Sequence, residues 1–260
     1  MTGQPAGWLM VGAEEETEME LLDSRAVSMS LESYVRDRLA ESDFFCGLSA
    51  GEVAPELVRD VFGQYYLWRN RFHRWLGVCV AKCAGFGDAL NAQRVLSELS
   101  TCLVQETNGG HHRLAVSFLS ALGIDNPACI AALPVTDAYA ESFPRCYFPA
   151  DRAGDEALAA LAGRELAVPS RNSIIVRALP EHYGVTSGLE FFRPPADLAA
   201  RHFRGLWEAI AGDSRADGRK LLEAARMEIW EHITFWDDVY STVLATSERL
   251  AADPAMAGNN

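Results

Sequence analysis

Residues 61–82 read VFGQYYLWRNRFHRWLGVCVAK. Val61, Phe62, Tyr65, Tyr66, Trp68, Phe72, Trp75, Leu76 and Cys79 wrap more than one helical face. A helix that is apolar over most of its girth belongs at the centre of a bundle. Val58 continues the pattern backwards and Pro55 suits a first turn, so the spacing predicts one long helix over 53–84. Gln64, Asn70 and His73 within it then need hydrogen-bond partners or a wet cavity. The stripe Tyr65, Tyr66, Trp68, Phe72, Trp75 reads as core in preference to a cofactor box.

Outward from this segment the helical period persists. Leu31, Tyr34, Val35 and Leu39 share a face over 30–42. Residues 89–107 form a helix broken at Gly109–Gly110, and the next helix stops at Gly123, a residue suited to the position after a helix end. A short helix over 136–143 is expected to end at Pro144. Residues 154–166 and 171–182 read as two helices on either side of Pro169, with Pro180 kinking or ending the second. EHYGVTSGLEFF (181–192) reads as a junction, followed by helices over 196–211 and 218–247. No strand-like alternation, repeat or heptad series is visible. The expectation is one all-α bundle of about eight helices. Residues 1–28 are taken as a tail and short N-terminal segment, 29–250 as a single helical domain, and 251–260 as a frayed tail.

Composition narrows the function. The 260 residues hold 23 Lys+Arg and 36 Asp+Glu, and 23 − 36 gives −13 with His neutral. A nucleic-acid binder shows a basic surface, so that class is set aside. With 49% hydrophobic and 23% charged residues the chain is globular, not disordered. No run approaches the ~18 apolar residues of a membrane span, and no basic amphipathic helix offers a membrane handle. MTGQPAGWLMVGAEEETEMELL lacks the basic and apolar regions of a signal peptide. The six Cys (46, 79, 83, 102, 129, 146) include no CxxC and read mostly as buried free thiols in a reducing cytoplasm. No GxGxxG, GxxxxGK[ST] or GxSxG occurs, which removes nucleotide-binding and α/β-hydrolase readings.

Three constellations could carry chemistry. Glu98, Glu106, His111 and His112 put carboxylate and imidazole on neighbouring turns around Gly109–Gly110, the ligand types of non-haem iron in helical bundles. The bland alternative is a helix junction with exposed histidines. Glu181, His182, Tyr183, Glu190 and His202 form a second group, with His202 on the apolar face of Leu198, Leu206 and Ile210. A lone His on such a face is more often a hydrogen-bonded core residue. Glu228, Glu231 and His232 form a third group; Glu228 and His232 stand i, i+4 and can converge on a metal or a hydrogen-bonded pocket, against the simpler reading of a charged helix face. Asp237 and Asp238 read as solvated.

Several strings taken together resemble the haem-oxygenase-like fold shared by TenA thiaminases, PqqC and the haem-oxygenase-like diiron oxidases. Residues 61–82 resemble its aromatic second helix. LSELSTCLVQETNGGHHRLAVSFLSALGI (96–124) is similar to the diiron oxidase segment with a carboxylate, a Gly-rich turn and a His opening the next helix. EHYGVTSGLEFF resembles the lead-in to the later ligand helix, and EAARMEIWEHITFWDDVYS (223–241) the closing aromatic helix. The resemblance implies metal ligation by Glu106, by His111 or His112 (His111 preferred), by Glu165 of GREL and by His202. The family's late motif is H-x3-D-x2-H. With His202 as its last His, Pro195 and Ala199 occupy the other two positions, and neither binds metal.

Three functions follow from that departure. The first is a non-haem iron oxidase or oxygenase using Fe(II), one or two ions, and O2 on a small amino-acid- or fatty-acid-derived metabolite. The second is a metal-independent acid–base enzyme, with Tyr183, Glu190 and His202 as its groups and Tyr65, Trp68 and Phe72 lining a substrate pocket. The third is a non-catalytic member that has lost the site. The resemblance also implies a homodimer, while the cysteines and the acidic charge point to a cytoplasmic protein with a small-molecule substrate and no nucleic-acid or membrane partner.

Overall fold

The structure, a computed structural model, describes residues 23–83, 89–107, 109–149, 154–193, 198–212 and 216–252, without the side chains of 91, 105–107 and 109. Helix α1 (Ser24–Glu41) starts because Asp23 Oδ1 accepts from the Arg25 and Ala26 amides at 2.9 and 2.7 Å. It therefore begins within the stretch assigned to the tail. Helix α2 (Asp43–Ala50) is capped by Ser42. Then follow α3 (Pro55–Arg69), α4 (Phe72–Lys82), α5 (Ala89–Thr107), α6 (Gly109–Ala121), α7 (Pro134–Tyr147), α8 (Gly154–Tyr183), α9 (Leu198–Ala211) and α10 (Gly218–Ala252). Short 3-10 turns stand at Pro127–Cys129 and Leu189–Phe192. Among the described residues there is no strand, and no helix is long and apolar enough to cross a membrane.

Helix α8 is the axis of the bundle. It packs against α1, α2, α4, α7, α9 and α10. Its approach to α10 is close because Gly163 has no side chain: a Cβ there would stand 2.6 Å from the Ala225 carbonyl oxygen. Helix α9 lies across α8 and α5. The core between these rods is aromatic. Trp236 stacks on Tyr65 at 4.5 Å between centroids, and Trp75 on Phe143 at 4.7 Å. Trp68, Trp75, Trp207 and Trp236 are wholly buried. Burying a side chain of this size contributes roughly 2–3 kcal/mol as an upper figure.

Several sequence expectations are corrected by this packing. The 53–84 helix is two helices. At Asn70–Arg71 the chain tightens, with Arg71 N bonded to Trp68 O at 2.8 Å, and the bend lets Trp68 and Trp75 meet edge to face. Pro144 does not end α7. The missing Pro N–H would have bonded the Ala140 carbonyl, and the Trp75 indole N–H takes that carbonyl instead at 3.0 Å. Pro169 and Pro180 do not divide α8. Buried residues on both sides of Pro169, including Leu166, Ala167, Arg171 and Ile175, hold the helix together across the lost bond. Three cysteines are buried (Cys79, Cys83, Cys102) and three exposed, all as free thiols. Asp237 is not a solvated carboxylate: it accepts from Ser42 Oγ at 2.6 Å and Phe44 N at 2.9 Å, anchoring the start of α2. Glu228 and His232 are buried rather than on a charged face. By contrast, Gln64 does find partners: its amide donates to Ala131 O, and its carbonyl accepts from Leu133 N and Thr136 Oγ1. Gly123, at φ 80°, closes α6 as expected. Pro195 and the 253–260 part of the tail lie outside the described residues.

Candidate active site

A cavity of about 100 Å³ opens where α3, α4, α5, α6, α8 and α9 meet the Leu189–Phe192 turn. Helix α8 supplies most of its polar wall. Arg164, Glu165, Val168, Arg171 and Asn172 recur every three or four residues and so share one helical face. His202 comes from α9, Cys102 from α5, His111 from α6 and Arg69 from α3. Tyr65, Phe72, Phe191 and Phe192 form the apolar side. The Leu189–Phe192 turn reaches the cavity because Gly188 lies against α6. Its φ is 74°, and a Cβ there would stand 2.6 Å from Phe118 Cα. A larger groove of about 820 Å³ between α1, α2 and α8 is open to solvent and carries no buried charge pair among the described residues.

Glu165 and His202 form the electrostatic centre. His202 Nδ1 stands 3.7 Å from Glu165 Oε2, an ion-pair distance longer than a hydrogen bond, and 3.5 Å from Cys102 Sγ. Glu165 Oε1 accepts from Arg164 Nη1 at 2.8 Å. Burial alone would raise the Glu165 pKa, but His202, then the charges of Arg164 and Arg69, outweigh it and hold the carboxyl at about 2. Glu165 in turn raises the His202 pKa above its ordinary 6.5 against the opposing effect of burial, and Glu98 adds to the rise. His202 Nε2 is buried without a hydrogen-bond partner among the described residues.

Arg164 lies over the faces of Phe72 at 4.0 Å and Trp68 at 4.8 Å. Arg171 donates to Asn172 Oδ1 from Nε and Nη2, at 3.1 and 2.7 Å, and to His232 Nε2 from Nη1 at 2.6 Å. Behind it, His232 Nδ1 meets the Tyr139 hydroxyl at 2.9 Å, and that hydroxyl donates to Glu228 Oε1 at 3.1 Å. Burial lowers the pKa of His232 and raises those of Tyr139 and Glu228. In each case burial favours the uncharged form.

The sequence-expected residues divide. His111, Glu165, His202, Tyr65 and Phe72 all line this cavity. His111 also packs on Phe191, with ring centroids 5.0 Å apart. His112 is exposed, its ring 6.2 Å from that of Tyr66. Trp68 sits behind the wall, wholly buried against Tyr139 and His232. Tyr183 and Glu190 do not line the cavity: Tyr183 closes α8 beside His182, and Glu190 is exposed. The Glu106 side chain lies outside the described residues. Arg164, Arg171, Asn172 and Cys102 were not anticipated. Arg164 and Arg171 stand seven apart, two turns along one face of α8, and that spacing is the available signal.

The donor chemistry does not fit an iron among the described residues. No group of three or more His, Cys, Asp or Glu stands where it could hold a metal ion. Glu165 is committed to Arg164 and His202. The imidazole is drawn toward its charged form, which cannot ligate, and three guanidiniums line the same space.

The comparisons agree on the fold. A family model described as an iron-containing redox enzyme matches residues 59–237. A cadd-like protein of unknown function from Nostoc punctiforme superimposes with a TM-score of 0.69 at 17% identity, covering 85% of this chain and 98% of that one. A domain of unknown function with a heme oxygenase-like fold from Shewanella denitrificans gives 0.68 at 15% identity, covering 89% and 95%. A TenA homologue from P. horikoshii gives 0.61 at 15% identity, covering 83% and 98%. No curated protein matches the chain. The all-α, haem-oxygenase-like architecture is therefore the one that the aromatic and glycine-rich strings resembled.

Proposed function

We propose, from the premise that this chain belongs to the family of iron-containing redox enzymes, that its cavity is the active site of an enzyme acting on a small organic molecule by proton transfer at His202. The observation that carries this is the buried Glu165–His202 pair on the cavity wall, at 3.7 Å. An imidazole with a carboxylate on one nitrogen and, among the described residues, no hydrogen-bond partner on the other is an orientated acid–base group. Glu165 and Cys102 face Nδ1, so Nε2 is the atom that exchanges a proton with the bound molecule. Glu165 stabilises the imidazolium, and Arg164 keeps Glu165 ionised. Tyr65, Phe72, Phe191 and Phe192 exclude water from the molecule's apolar part.

A second reading is an Fe(II)- and O2-dependent oxidase of an amino-acid- or fatty-acid-derived metabolite. It is favoured by the family's description and by His111 and His202 lining one cavity. It requires Glu106 to join them. The two readings separate on one preparation. Chelator-treated, iron-free protein is assayed on a panel of short-chain amino and fatty acids beside Fe(II)-reconstituted protein. Equal turnover supports the acid–base reading. Turnover only with stoichiometric Fe(II) and O2 overturns it.

A further inference from the structure

Arg164 and Arg171 are 1% and 2% exposed, and both line the cavity. Glu165 is the carboxylate on this face of α8, and it serves Arg164 and His202. Among the described residues no carboxylate pairs with Arg171. Its partners are uncharged acceptors, Asn172 Oδ1, His232 Nε2 and the Tyr65 hydroxyl, and its charge lies over the rings of Tyr65 at 5.2 Å and Trp236 at 5.6 Å. The carboxyl that the hydrogen-bond chain does reach, Glu228, stands behind His232 and Tyr139 and does not touch the guanidinium, and burial raises its pKa. A buried guanidinium without a counter-charge is strongly disfavoured unless an anion completes it.

The guanidinium is also held still. Asn172 takes its Nε and Nη2 edge, and Asn172 is itself fixed by donating from Nδ2 to Phe192 O at 3.0 Å. His232 takes Nη1 at 2.6 Å. An orientated planar donor set suits a planar acceptor. We propose that Arg171 receives the carboxylate of a small monoanionic organic acid, whose carbon body lies against Phe72, Val168, Phe191 and Leu198. Arg171 itself presents one charge that no carboxylate among the described residues meets, and a single carboxylate matches it. A phosphate dianion would bring a second negative charge toward Glu165. The cavity of about 100 Å³ limits the acid to a few carbons or a single ring. This assignment deepens the active-site reading above and rests on the same cavity, but binding alone tests it.

Propionate and benzoate are titrated into the intact chain beside their neutral counterparts propionamide and benzamide, and beside inorganic phosphate. Tryptophan fluorescence and the melting temperature report binding. At least one of the acids is expected to bind saturably, about tenfold or more tighter than its amide, and Arg171→Gln is expected to abolish that preference. Equal binding of acid and amide, tighter binding of phosphate, an unchanged preference in Arg171→Gln, or no saturable binding of either acid would each overturn the assignment. If Arg171→Gln does not fold, the acid–amide comparison on the unaltered chain decides. Carboxylate binding without iron-free turnover leaves Arg171 as the anion site while defeating the acid–base reading. Turnover with no preference for the anion does the reverse.

Discussion

Arg171 donates from Nη1 to His232 Nε2 at 2.6 Å, and this bond fixes the tautomer of a histidine with no exposed surface. A guanidinium can only donate, so Nε2 accepts and the ring proton sits on Nδ1. Nδ1–H then donates to the Tyr139 oxygen, and Tyr139 donates to Glu228 Oε1. The chain runs in one direction from the cavity wall into the core.

His232 is accordingly expected to stay neutral and Nδ1-protonated between about pH 5 and 8, as ring nitrogen NMR shifts would show. Burial, then the charges of Arg171 and Arg164, set that direction. His232→Leu leaves both Arg171 and Tyr139 short of a partner and should cost about 3 kcal/mol in urea unfolding.

Glu228→Gln should be tolerated. Burial and the neighbouring Glu231 raise the Glu228 pKa, so the folded chain keeps a proton that the unfolded chain loses above the ordinary 4.5. Stability therefore falls as pH rises through that window, and glutamine removes the fall while still accepting from Tyr139. The variant should match the parent near pH 4 and exceed it near pH 7 in its urea midpoint.

Glu165 has the opposite sign. Its carboxyl is held at about 2, so its contribution is full above about 4.5 and is lost as pH falls toward 2. His202, raised from 6.5, contributes fully below that value and loses its contribution as pH rises through its folded pKa. The pair is thus strongest between about pH 4.5 and 6.5. Glu165→Gln should lose up to about 3 kcal/mol there, read from urea midpoints across pH.

Gly163→Ala and Gly188→Ala should each destabilise by about 1–3 kcal/mol, seen as lowered melting temperatures. The first forces α8 from Ala225. The second needs a strained positive φ and meets the Phe118 backbone, displacing the turn that carries Phe191 and Phe192 to the cavity.

The bundle was legible because apolar girth is a sequence property. Residues 61–82 announced a central helix, and Gly123 announced an end. Helix continuity through Pro144 and Pro169 was not legible, since it depends on tertiary contacts such as the Trp75 indole on Ala140. In the site, His202 stood out on an apolar face, and Glu165 followed from the resemblance to the family. Arg164 and Arg171 were hidden because an arginine in a helix ordinarily marks a solvated face. Here the aromatic rings of Trp68, Phe72 and Tyr65 shelter the guanidiniums, and those rings come from other helices. Tyr139 was equally invisible, since only folding brings α7 to Glu228 and His232.

The most direct measurement is the NMR titration of the His202 ring in the parent chain and in Glu165→Gln. If the buried pair is the working centre of the cavity, His202 titrates above 6.5 in the parent and falls markedly when the carboxylate is removed. A His202 that titrates at the same pH in both would contradict it.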